Sequence, residues 1–211
     1  SSQYVNVLGS RMHYLRSGDS SKPVMLFVHG MPTSSYLWRN ILPDFSEHAC
    51  CIAIDLIGMG KSDKPDIAYT VFDHIRFFDA FVAALGLQNI TLIVHGWGSV
   101  IALDHARRHE HNITALAFYE SHLRPILDWR DLSLPVQQLG AMLKDQEASY
   151  QSVVEGNYFI KRVLPEGVVT PLPADVLSEY ATPFQTVKSR KLLWQYLMEL
   201  PLGQNESDVI S

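Results

Sequence analysis

Cysteine is nearly absent from this chain. Cys50 and Cys51 are the only two in 211 residues, and they are adjacent. In an extended run successive side chains point to opposite faces, so this pair cannot found a disulfide framework, and a reducing, cytoplasmic setting is expected. Charge is also sparse, at 18% of residues, with 17 Lys and Arg against 22 Asp and Glu for a net charge of −5. The basic residues are scattered except at Lys188, Arg190 and Lys191. Nucleic acid and anionic membrane are therefore not expected as partners. No apolar run approaches the ~20 residues that a membrane span requires. The best, residues 77–87, is interrupted by Asp79 and reads as a core helix. Repeats and low-complexity stretches are missing too. The sequence opens SSQYVNV without Met, as expected of a chain whose first segment has been removed.

What is present is apolar: 47% of residues are hydrophobic, enough for one sizeable core. Tyr4 to Leu8 and Met12 to Arg16, separated by Gly9 and Ser10, read as a hairpin. Val24 to Val28 and Cys50 to Ile54 are unbroken apolar runs, as buried parallel strands need, and Thr91 to Val94 and Ala115 to Tyr119 repeat the pattern. Helical patterns lie between them at Ser35 to Phe45, Asp73 to Leu85 with a stop at Gly86, and Ser99 to Arg108. Six strands alternating with helices predict an α/β fold with a mostly parallel sheet and helices on both faces. Beyond Tyr119 the texture becomes helical and proline-punctuated. The expected organisation is a core over 1–124, a helical cap inserted over 125–201 and the start of a return to the core over 202–211. Further strands beyond residue 211, and with them C-terminal incompleteness of the fold as given, are an expectation that rests on the resemblance carried by the motifs below.

Residues Leu92 to Ser99, LIVHGWGS, combine a buried strand, a tight turn of small residues and a helix start. Such a turn lifts one side chain above the sheet as a nucleophile. Here that position is Gly96, whose side chain is a hydrogen. A second turn, His29-Gly30-Met31-Pro32, follows another buried strand. Its glycine permits a sharp bend that leaves the Met31 amide exposed, and with the Trp97 amide at a helix N-terminus it would form a two-donor hole for an anion.

The stretches HGMPTSSYLWRN from His29, DLIGMGKSDKP from Asp55 and HGWGS from His95 occur in order at strand ends. Together they resemble the haloalkane dehalogenases of the α/β-hydrolase superfamily, a group that includes the Renilla-type luciferases, from about Tyr4 to the C-terminus. The resemblance implies a carboxylate nucleophile at the elbow that attacks the halogen-bearing carbon, and a histidine that activates water to cleave the resulting ester. Gly96 cannot take the first role, because it has no side chain to carry a covalent intermediate. Met31 stands where many relatives have an Asn that donates to the halide. Trp97 matches the halide-binding indole of the family. Glu120, at the end of the last apolar strand, is implied to orient and charge the catalytic histidine.

That histidine follows the eighth strand in the family, and none of the nine here occupies the place. His105, His109 and His111 are expected on a helix surface, and His122 lies near Glu120 on the wrong element. Ser99 is expected to face helix packing and not to replace the missing nucleophile. No metal ligand set and no cofactor is expected. The expected partners are a small apolar or halogenated ligand and a halide, with a homo-oligomer or a missing C-terminal segment completing the fold. Two functions follow: a dehalogenase-like hydrolase impaired by Gly96, or a non-catalytic small-molecule-binding or interaction protein on the same fold.

Overall fold

The computed structural model describes residues 1–121 and 145–199, with Arg130, Leu134, Gln137, Gln138 and Ala141 between them. The chain divides into two compact units, Ser1–Ile67 with Phe72–His122 and Ala68–Val71 with Leu123–Ser211.

The first unit is built on six strands: β1 (Ser2–Val7), β2 (Ser10–Ser17), β3 (Val24–Val28), β4 (Cys50–Ile54), β5 (Ile90–His95) and β6 (Ile113–Tyr119). They lie in the order β1-β2-β4-β3-β5-β6. β1 and β2 form the expected antiparallel hairpin, and β2 runs antiparallel to β4. The pairs β3–β4, β3–β5 and β5–β6 are parallel. The continuous apolar runs foretell this arrangement, since every residue of β4 is buried.

Helices cover both faces. Phe27, Cys51 and Ala53 pack with Trp38 and Leu42 on one side of the sheet. Tyr14 pairs with Ile54, on the opposite face from Ala53, and its ring meets Phe81 edge-on at 5.5 Å. Phe81 lies on α2 (Val71–Ala84), whose residues beyond Val71 belong to the first unit. Cys50 and Cys51 are both buried and free, and lie on opposite faces as alternation requires.

The expected helix Ser35 to Phe45 is in fact two pieces, a 3-10 turn at Ser35–Trp38 and α1 (Leu42–Ser46). Pro43 explains the break: it lacks the N–H that would continue the ladder and disfavours helical backbone before it, yet it suits the first turn of a new helix. α3 (Trp97–Arg108) begins two residues earlier than expected because Gly96 itself is the N-cap. His105 is a second correction. It is buried, because its ring turns inward to meet Phe78 edge-on at 5.3 Å and Asp79 at 2.6 Å. His109 caps α3, and His111 lies in the short turn Glu110–Asn112.

The described part of the second unit is helical. Gln146–Tyr150 runs into a π-helical stretch, Gln151–Glu155. Another π-helical stretch, Phe159–Val163, precedes α4 (Ala174–Ala181) and α5 (Val187–Glu199). α5 is tied in by Trp194, which donates to Ser149 Oγ at 3.2 Å and meets the Tyr150 ring edge-on. Glu199 accepts from the Val71 amide at 2.6 Å, neutralising one of the orphan donors at the start of α2. Among the described residues no helix is long and apolar enough to cross a membrane.

Candidate active site

The parallel strands β3, β5 and β6 bring their C-terminal ends together, and the candidate residues sit on the turns that follow. At the end of β5 the backbone reverses at Gly96, with φ 53° and ψ −130°, and α3 starts at the next residue. This left-handed conformation suits glycine, whereas a β-carbon there costs of order 1–3 kcal/mol. Gly96 is held on both sides: its N–H donates to the Tyr119 carbonyl at 3.3 Å, and its own carbonyl accepts from Ser99 N–H at 3.0 Å and Ser99 Oγ at 2.6 Å. Ser99 is fully buried with its hydroxyl committed to that contact, and so faces helix packing as expected.

A β-carbon added at Gly96 would meet a single neighbouring atom within 4 Å, Gly30 Cα at 3.6 Å, which is ordinary contact. The elbow thus has the shape of a turn that carries a side chain, and the space for its β-carbon.

The turn after β3 abuts this elbow backbone to backbone. A β-carbon on Gly30 would lie 2.9 Å from the His95 carbonyl oxygen and 3.1 Å from the Trp97 nitrogen, so no larger residue fits without displacement. The Gly30 carbonyl accepts from His29 Nδ1 at 2.8 Å, Thr33 N–H at 3.1 Å and Thr33 Oγ1 at 2.7 Å. The Gly30–Met31 peptide is trans, so the Met31 N–H points opposite to that carbonyl and away from those donors. His29 Nε2 accepts from the Leu56 amide at 3.0 Å, which fixes the neutral ring with its proton on Nδ1. Burial holds the His29 imidazole below its ordinary range, against the pull of Asp55.

Trp97 is buried at the first position of α3, and Met31 is half-buried. Glu120 follows β6, whose register places Tyr119 beside His95. Its backbone is left-handed at φ 48°, and its largely exposed carboxylate reaches His95 Nε2 at 3.3 Å. Gly96, Trp97, Glu120 and the Met31 turn therefore converge within one cluster of strand ends. His122 lies outside the described residues.

Sequence reasoning missed Asp55 as the organiser of the neighbouring loop. This carboxylate is buried and accepts from His13 Nδ1 at 2.7 Å, the Ser35 amide at 2.6 Å and the Lys61 amide at 2.8 Å. Burial works to raise its pKa, but the His13 hydrogen bond, the nearby His29 and the two amides outweigh it and hold the carboxyl below the usual range. The signal in the sequence is an acid placed directly after the unbroken apolar strand CCIAI, where only a fully satisfied carboxylate is tolerated.

Fold and site together define an α/β hydrolase, and the pattern of the alpha/beta hydrolase fold family matches residues 23–174. The haloalkane dehalogenase of Bradyrhizobium diazoefficiens is 39% identical over 96% of this chain and 69% of its own length. That of Mesorhizobium japonicum is 38% identical over 97% of the chain and 66% of its own. Among solved structures, haloalkane dehalogenase DbeA from Bradyrhizobium elkani superposes with a TM-score of 0.95 at 36% identity, covering 100% of this chain and 72% of that one. A putative ancestral haloalkane dehalogenase gives 0.94 at 40% identity, with coverage of 99% and 73%. The chain belongs to the haloalkane dehalogenase family.

Proposed function

We propose that this dehalogenase-like hydrolase binds small apolar or halogenated molecules at the elbow but is impaired in covalent catalysis. The observation that carries the reading is Gly96: the turn is held, open and in a conformation that would strain any other residue, as a nucleophile elbow should be, yet presents no atom that can form a bond to carbon. Attack on a carbon–halogen bond needs a carboxylate oxygen at this position, and Glu120 is no substitute, because its carboxylate is turned to His95.

The anion-binding half of the site is intact in this reading. The first turn of α3 carries the positive end of the helix dipole, which favours an anion beside it. The Met31 N–H faces away from its pinned carbonyl, and the Trp97 indole adds a donor suited to a halide. Glu120 takes the role of charging and orienting a catalytic histidine, and the helical second unit that of the cap, both by resemblance.

A second reading, a non-catalytic interaction protein, is favoured by one feature: β6 carries apolar side chains that are exposed, Phe118 at 55% and Tyr119 at 67%. Incubating the purified chain with a bromoalkane and measuring both halide release and saturable fluorescence quenching separates the two. The impaired hydrolase binds without releasing halide. The interaction protein does neither, and release at a rate comparable to an ordinary dehalogenase would overturn the impairment.

A further inference from the structure

Asp79, His105 and His109 form a cluster that the elbow does not use. Asp79 is on α2, while His105 and His109 are spaced i, i+4 at the end of α3 and so share one face of it. One donor atom from each of the three lies within 4.8 Å of the others. The His105 and His109 rings stand 4.5 Å apart at 31°. His105 is anchored by burial, Asp79 is partly exposed, and His109 faces partly outward. Two imidazoles one helical turn apart plus a carboxylate from a neighbouring helix are the donor set of borderline divalent transition metals, and are too poor in oxygen for Ca²⁺ or Mg²⁺.

We propose that Asp79, His105 and His109 bind a borderline divalent transition metal of the Zn²⁺ kind, stapling α2 to α3 at the end of α3 remote from the elbow. This departs from the expectation that the chain has no metal ligands. It is independent of the dehalogenase reading.

The proton inventory allows it. In the metal-free arrangement the His105 Nδ1–H donates to Asp79 Oδ1 at 2.6 Å, while Nε2 is buried without a hydrogen-bond partner. When the metal takes the Nδ1 lone pair, the proton moves to Nε2, and no existing hydrogen bond at Nε2 is lost.

The competitor is Arg108, whose guanidinium holds Asp79 Oδ2 at 2.8 Å and Asp104 Oδ2 at 2.7 Å. The metal must share Asp79 with it or push it onto Asp104 alone. The negative end of the α3 dipole favours a cation here, and supports either occupant.

The test is titration of the purified chain with Zn²⁺ by calorimetry, beside His109→Ala and Arg108→Gln. One saturable site is expected. His109→Ala should weaken it by roughly tenfold or more. Arg108→Gln, which removes the competing charge, should tighten it. With nine histidines in the sequence, binding elsewhere is the alternative. Affinity unchanged in His109→Ala, or no saturable binding at all, overturns the proposal. Should His109→Ala fail to fold, histidine side-chain NMR of the unsubstituted chain decides. Zn²⁺ shifts confined to two imidazoles, with one moving its proton from Nδ1 to Nε2, support the site, and shifts spread over the other histidines overturn it.

Discussion

Gly96 and Gly30 face each other across the strand ends with room for one more carbon: a β-carbon on Gly96 would sit 3.6 Å from Gly30 Cα. The spacing makes Gly96→Asp the informative substitution. The β-carbon fits, and the backbone at φ 53° and ψ −130°, outside the left-handed helical region that Asp tolerates, sets a cost of order 1–3 kcal/mol. Incubated with a chloroalkane, Gly96→Asp should gain the mass of one alkyl group and the parent chain none. Intact-mass spectrometry reads this directly, and equal labelling of both chains would place the reactive group elsewhere.

Halide recognition is expected to survive in the parent chain, because its donors are an indole and backbone amides. Trp97→Phe removes the indole N–H and keeps most of the apolar surface. Losing a hydrogen bond to a charged group costs roughly 1.5–3 kcal/mol, which is about a tenfold to hundredfold in affinity. Bromide titration followed by tryptophan fluorescence should show that loss. Saturable quenching that Trp97→Phe leaves at the same midpoint would mean that the indole is not a ligand.

The strands and the elbow are legible in the sequence because each is written locally. VMLFV and CCIAI are short apolar runs of strand length, as buried strands need, and a small-residue turn between a strand and a helix permits a tight bend. Side-chain partners across elements are not local. Asp79 reads as no more than an interruption in an apolar helix, yet it pairs with His105 and Arg108 from α3. His105 lies one turn on from Ile101 on the buried stripe of α3, but the carboxylate it meets there comes from α2 and is not written in the local spacing. Glu120 likewise gains His95 as a neighbour from the β5–β6 register, which no single-strand pattern contains.

Buried neutral histidines make stability fall on acidification. Burial pulls His74 from 6.5 down to about 3 and holds His29 low as well. Below pH 6.5 the unfolded chain takes up these protons and the folded chain does not, so unfolding is favoured progressively as pH drops towards 3. Each such histidine contributes up to about 1.4 kcal/mol per pH unit. Asp55 works at the acid end: its lowered carboxyl stabilises the fold above the ordinary value of 3.8, and that contribution is lost as pH falls through its folded value. Urea unfolding between pH 7 and pH 4 should show the first slope, and His74→Leu should make it shallower. A slope unaltered in His74→Leu would assign the acid sensitivity to other groups.

β6 is the last strand in the sheet order, paired to β5 alone among the described strands. Its side chains are exposed almost throughout, Leu116 at 40% among them. An apolar strand with unpaired N–H and C=O groups along one edge is a template for another strand. The chain is therefore expected to self-associate with rising concentration, through β6. Phe118→Lys places a charge on this strand, disfavours apolar docking and leaves the β5 ladder intact, so it should shift the chain towards monomer. Size-exclusion chromatography with light scattering reads both states. A parent chain that stays monomeric across the concentration series would show that the β6 edge is covered, and would also remove the observation that favours the interaction-protein reading.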